Sequence, residues 1–201
     1  METVNRAIHR EAVSRSFTYE AYRELVKTMA EQNDTTGEPR TEDHSNYTKL
    51  NDRRMDRLDK TLKLVDEMQP LKGRWSSQEW WVITELWCGD AAQNLPGIAL
   101  VAAHTGASLQ MILRDENPEV MDRFLTNGAR SIPKLVVTDK HDGSVLAEWG
   151  PRPAPAQQLV KEAKAIGIPA SEYNIELQQW YNRDKSTTLQ RELIELLSSR
   201  I

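Results

Sequence analysis

Cysteine is nearly absent from this 201-residue chain, in which Cys88 stands alone. One thiol excludes an intramolecular disulfide framework and any zinc site built on cysteines. Long apolar runs are missing as well: none approaches the 18 or so residues that a membrane span needs. Histidine is sparse, and His9, His44, His104 and His141 are scattered without His-x-x-His or His-Glu-x-x-His spacing. No glycine-rich phosphate loop follows a strand, so neither a metal nor a nucleotide site is expected. Positive charge is not in excess either, with 26 Lys+Arg against 30 Asp+Glu. No segment is strongly basic, which argues against nucleic acid as a partner. The opening residues, METVNRAIHR, lack the apolar stretch of a signal peptide, and a reducing cytoplasm is the expected compartment. What is present is 39% hydrophobic residues, enough for a proper core and too many for a disordered chain.

The pattern of those residues divides the chain. Residues 17–31 place Tyr22, Leu25, Val26 and Met29 on one helical face, with Thr18 as N-cap. Residues 32–46 hold almost nothing apolar and read as an exposed loop. A second helix is expected over about 47–68, capped by Ser45 or Asn46, with Met55, Leu58, Leu62, Val65 and Met68 as its stripe. The charges between them (Arg53, Arg54, Asp56, Arg57, Asp59, Lys60) read as a solvated face. From residue 79 the character changes. WWVITELW (80–87) reads as a buried strand, 91–106 as a helix that Pro96 should kink or break, and 107–115 as a second strand. A helix is expected from Asn117 through Leu125, closed at Asn127-Gly128. KLVVTD (134–139) and SVLAEW (144–149) follow as a hairpin, and 157–167 as a helix. A strand, a crossover helix and a strand imply a parallel pair, to which the hairpin adds antiparallel strands. Two short helices close the chain, the first carrying Tyr173, Leu177, Trp180 and Tyr181. The second carries Leu189, Leu193, Leu196 and Leu197 behind a Thr187-x-x-Gln190 capping box.

Cys88 follows strand 80–87 directly and opens the next helix. Unpaired N–H groups and the helix dipole stabilise a thiolate at such a position, whereas Asp90, two residues on, disfavours it. The opposing reading is a buried cysteine that serves as a small apolar residue. Trp75, Trp80, Trp81 and Trp87 crowd ahead of it. Most read as packing residues, each buried indole N–H seeking an acceptor.

Trp87-Cys88-Gly89-Asp90-Ala91 resembles the Trp-Cys-Gly-Pro-Cys site of the thioredoxin superfamily. Pro96 lies eight residues past the cysteine, as that family's kinking proline does. Ser131-Ile132-Pro133 matches its Ile-Pro step, Cys88 and Pro133 stand 45 residues apart, and Gly150 follows the last strand. More narrowly, ITELWCGDAAQNLP with ARSIPKLVV is similar to a group of bacterial thioredoxin-like proteins carrying WCGDAAQ in place of a dithiol motif. The resemblance implies a thioredoxin-like α/β fold, a mixed sheet flanked by helices, over residues 73–168. An N-terminal helical extension (1–72) and a C-terminal one (169–201) would pack on it. It further implies a cis Pro133, and a partner site shaped by Trp87, Gly89, Asp90, Ile132 and Pro133 beside Cys88.

Two departures bear on mechanism. The family's resolving cysteine is Ala91 here, and its buried acid six residues before the first cysteine is Val82. Dithiol reduction is therefore not expected. The expected activity is monothiol thiol-disulfide exchange through Cys88 with a protein or peptide partner. No cofactor is called for, and glutathione is the candidate co-substrate. The alternative is a peptide- or protein-binding module on the same fold that has lost turnover. Burial of Cys88 by the second helix is what would silence the thiol.

Overall fold

The computed structural model describes Ile8, Val13 and residues 15–198; His9 lies outside them. Helix α1 (Tyr19–Glu31) begins where Thr18 Oγ1 accepts the Ala21 N–H at 3.2 Å. Helix α2 spans Glu42–Thr61. It starts five residues earlier than its apolar pattern suggests, because Thr41 rather than Ser45 or Asn46 accepts the His44 N–H, and Glu42 and Asp43 favour the positive end of the helix.

It also stops early. The stripe expected to run on to Met68 leaves the helix at Leu62, and a 3-10 turn covers Asp66–Leu71. The cause is a side chain 125 residues away. Gln190 Oε1 accepts the Val65 N–H at 2.9 Å, and its amide donates to Lys63 O at 3.0 Å. Those backbone groups are satisfied outside a helix, so the helix need not continue. The same contact removes Gln190 from the expected capping box. The first turn of α7 (Thr187–Ser198) is held instead by Asp184, which accepts from the Thr188 N–H and hydroxyl.

Five strands form one sheet in the order β1-β3-β2-β4-β5. They are β1 (Ser16–Phe17), β2 (Gln78–Thr84), β3 (Ser108–Leu113), β4 (Lys134–Asp139) and β5 (Val145–Trp149). β2 and β3 are parallel, joined by α3 (Gly89–Thr105), while β2–β4 and β4–β5 are antiparallel. This is the expected mixed sheet, with β1 added on β3 by a two-residue antiparallel pairing too short to show a pattern. Trp80 and Trp81 point to opposite faces, and both are fully buried, so the sheet is covered on both sides. Trp80 Nε1 donates to Gln78 Oε1 at 3.0 Å; Trp75 Nε1 finds no acceptor among the described residues, contrary to expectation.

Helix α3 runs past Pro96 from Gly89 to Thr105, so the proline does not break it. A proline inside a helix costs about 3 kcal/mol; packing against α2 and α7 offsets it. The approach of α7 is close: a Cβ on Gly97 would lie 2.9 Å from Leu189 Cδ2 and Ser186 Oγ. Only Pro118–Met121 is helical (α4) in the segment expected to run to Leu125. Helices α5 (Ala154–Ala165) and α6 (Ala170–Asp184) pack on each other through Ala156, Val160, Leu177 and Tyr181. Residues of α1, α2 and α7 share one apolar cluster with the sheet. Among the described residues, no helix is long and apolar enough to cross a membrane.

Replacing Gln190 with alanine strands the Val65 N–H and Lys63 C=O in a partly buried setting. The expected loss is about 1–3 kcal/mol in urea or thermal unfolding.

Candidate functional site

β2 ends at Thr84, and Glu85-Leu86-Trp87 carry the chain to Cys88, the N-cap of α3. The Cys88 sulfur accepts the Ala91 N–H at 3.4 Å, and its S–H donates to Ile132 O, also at 3.4 Å. The Ile132-Pro133 peptide is cis. Gly150 supports this corner from behind. At φ +117°, a Cβ there would stand 2.3 Å from Pro133 O, a position no other residue can occupy without displacing the Ile132-Pro133 step.

Cys88 is 7% exposed, and its thiol is pushed up to about 12. Burial is the largest cause and the Asp90 carboxylate the next; the Ala91 N–H and Arg152 oppose them. The magnitudes explain the outcome. A helix N-terminus supplies up to about 2 kcal/mol, or roughly 1.5 pH units, whereas full burial raises an acid by up to about 3–5. The favourable dipole is present and is outweighed, so the resting group is a thiol.

Asp90 is itself held in a network. Arg152 Nη2 lies 2.5 Å from Asp90 Oδ2, and the Tyr181 hydroxyl donates to Oδ1 at 2.9 Å. Asn94 donates to the Asp90 carbonyl at 2.8 Å and to the Tyr181 oxygen at 3.1 Å. Burial pushes the Asp90 carboxyl above its ordinary value, against the pull of Arg152, Tyr181 and Arg54.

Trp87 is fixed from the other side. Its ring stacks on His44, with centroids 4.6 Å apart and planes 9° from parallel, and the Arg114 guanidinium stands 5.1 Å from the ring centroid. His44 Nδ1–H donates to Pro39 O at 3.1 Å. The loop before α2 is clamped by Glu85, a fully buried carboxyl that burial pushes up in pKa. It accepts from the Thr36 hydroxyl at 2.5 Å and from the Asp115 N–H at 2.9 Å. Position 82, where the family has its acid, holds a buried Val82, and Ala91 is buried where a second thiol would be.

Of these groups, His44, Arg114, Arg152 and Tyr181 line a cavity of about 810 Å³. Trp87, Cys88, Gly89, Asp90 and Ile132 all reach it; Pro133 does not. α2 lines it with Tyr47, Leu50 and Arg54, and α6 with Ile175, Leu177 and Tyr181. Sequence reading missed His44, Arg54, Glu85 and Arg152. Arg54 was assigned to a solvated face, yet it lines the cleft half-buried. The signal was available: Tyr47, Leu50 and Arg54 recur at i, i+3 and i+7, a second face of α2 beside its apolar stripe. Glu85 carries no such signal, because a carboxylate at a strand end gives no hint of its partners.

A mixed sheet with α3 leaving the end of β2, and a lone N-cap thiol facing an Ile-cis-Pro step, define a thioredoxin-like α/β protein. Residues 37–164 match a family model described as Thioredoxin. That is well over half of the chain, which belongs to the thioredoxin family. No curated protein matches it. Among solved structures it is similar to an HIV epitope-scaffold, at 15% identity and a TM-score of 0.47, over 80% of this chain and 95% of that one. It is also similar to a protein of unknown function from Pseudomonas aeruginosa, at 14% identity and a TM-score of 0.47, over 83% and 96%.

Asp90→Asn removes the charge that holds the Cys88 thiol up and frees Arg152 to act on the sulfur. The thiol pKa, read from the pH profile of alkylation, should fall, while stability drops by about 3 kcal/mol because a largely buried guanidinium loses its carboxylate. Tyr181→Phe should lower stability without lowering that pKa, which separates the electrostatic effect from simple loosening.

Proposed function

We propose that this chain is a cytoplasmic monothiol exchange protein of the bacterial WCGDAAQ group, acting through Cys88 on a thiol or disulfide partner. The observation that carries the reading is the Cys88 sulfur at the α3 N-cap, bonded to Ile132 O on the wall of a cavity large enough for a small ligand. In the exchange, the Cys88 sulfur attacks one sulfur of a disulfide R–S–S–R′. The Cys88–S–S–R bond forms, the S–S bond of the partner breaks, and R′–S⁻ leaves with the proton that Cys88 gave up. With Ala91 in place of a resolving thiol, release needs an external thiol such as glutathione. That thiol attacks the mixed disulfide and restores Cys88–SH.

A second reading is a binding module without turnover. It is favoured by the burial of the thiol and by the upward push from Asp90, which leave little thiolate at neutral pH.

Iodoacetamide labelling of the only thiol tests the choice. With a thiol near 12, native labelling at pH 7 should be slow and should rise about tenfold per pH unit through the alkaline range; denatured labelling should level off near 8.5. A mixed disulfide that forms on native protein at neutral pH and is cleared by glutathione supports exchange. Labelling that waits for unfolding at every pH, with no mixed disulfide, leaves the binding module. Cys88→Ala should abolish partner capture in the first case and preserve it in the second.

A further inference from the structure

We infer that the cleft beside Cys88 takes a small carboxylate-bearing disulfide or thiol, with Arg54 of α2 as the residue that reads its anionic group. This rests on the exchange reading for its sulfur chemistry, although the anion site stands on its own geometry.

The charge inside the cavity is the opposite of the charge of the chain. The protein carries a formal net charge of −4, yet Arg54, Arg114, Arg130, Arg152 and Lys164 line the cavity against a single carboxylate, Asp90. Most of these cations are already answered: Arg152 by Asp90, Arg114 by Asp115 and Arg130 by Asp122. Lys164 is exposed to water. Arg54 is different. It is half-buried, its one hydrogen bond is from Nη1 to Asn51 Oδ1 at 3.1 Å, and it makes no ion pair among the described residues. Four of its five N–H donors have no partner among the described residues, and burial pulls its pKa down against the longer-range pull of Tyr47 and Asp90, neither of which it touches as an ion pair.

The place of that charge matters as much. Arg54 Nη1 would lie 3.4 Å from a Cβ on Gly89, so the guanidinium sits over the residue next to the reacting sulfur. A planar fork there suits a carboxylate bidentately. Tyr47, Leu50 and Ile175 give the cavity exposed apolar surface, Ile175 at 63%, and would cover the methylenes between a carboxylate and a sulfur. A small molecule fits better than an extended peptide. Ile132, whose backbone would pair with a strand, is 7% exposed, and its carbonyl already accepts the Cys88 S–H.

Three small disulfides of graded charge test this: 3,3′-dithiodipropionate, bis(2-hydroxyethyl) disulfide and cystamine, each added to native protein, with Cys88 adducts followed by intact mass. The anionic probe should react roughly tenfold faster than the neutral one at low salt, with cystamine slowest, and the preference should shrink at high salt. In Arg54→Gln the anionic-to-neutral ratio should fall to about one, and in Arg54→Lys it should be partly kept. Equal rates for all three, or a ratio unchanged in Arg54→Gln, overturns the inference. If no probe modifies Cys88, the exchange reading fails, and the anion site is judged by calorimetry of dithiodipropionate binding to Cys88→Ala. Binding weakened about tenfold by adding Arg54→Gln sustains it, and no binding overturns it.

Discussion

The buried carboxylate of Asp90 ties together parts of the chain that are far apart in sequence. It belongs to the first turn of α3, its ion-pair partner Arg152 to the turn after β5, and its hydrogen-bond donor Tyr181 to α6. A carboxylate taken out of water needs these partners, because an unpaired buried charge costs several kcal/mol. The geometry of the site follows from that need. The β5–α5 turn and α6 must both come to the N-terminus of α3, and in doing so they wall the cavity beside Cys88.

The same carboxylate sets the state of the thiol. Asp90 and Cys88 compete for the favourable end of one helix, and both are buried there. Asp90 has a guanidinium within contact, whereas Cys88 has the Ala91 and Asp90 N–H groups and a more distant Arg152. The charge therefore resides on Asp90, and the thiol keeps its proton and spends it on Ile132 O. A helix N-terminus lowers a thiol pKa only where nothing better charged occupies the same field.

Much of this could be read from residue order. Strands β2 to β5, the crossover helix and the position of Cys88 follow from local patterns, since apolar periodicity and turn residues act over a few positions. The Ile132-Pro133 step, and its place beside Cys88, were legible only as a resemblance, carried by WCGDAA and SIPK. What escaped was set by distance. The early end of α2 depends on Gln190, the role of Arg54 on where α2 lies across α3, and the role of Glu85 on a loop fifty residues earlier. Propensity is a weak prior, and a single distant amide overrides a stripe of five apolar residues. The balance at Cys88 was stated from sequence as dipole against Asp90, with burial as what would silence the thiol; that the thiol is buried belongs to tertiary structure.

Glu85 shows how a buried acid near the thiol can be mistaken for chemistry. Classical members of the family carry their acid at the position of Val82, and it assists a second thiol; here both acid and second thiol are absent. Glu85 is buried three residues before Cys88, but its carboxyl oxygens are taken by the Thr36 hydroxyl and the Asp115 N–H. Thr36 belongs to the loop that sets His44 against Trp87, and Asp115 to the segment after β3. A carboxyl saturated by donors of its own scaffold is poorly placed to exchange protons with a neighbour, and its effect is to fix the entrance of the cleft. The groups free to meet a ligand are those left incompletely satisfied. In this cavity the guanidinium of Arg54 is such a group, and it stands over Gly89, next to Cys88.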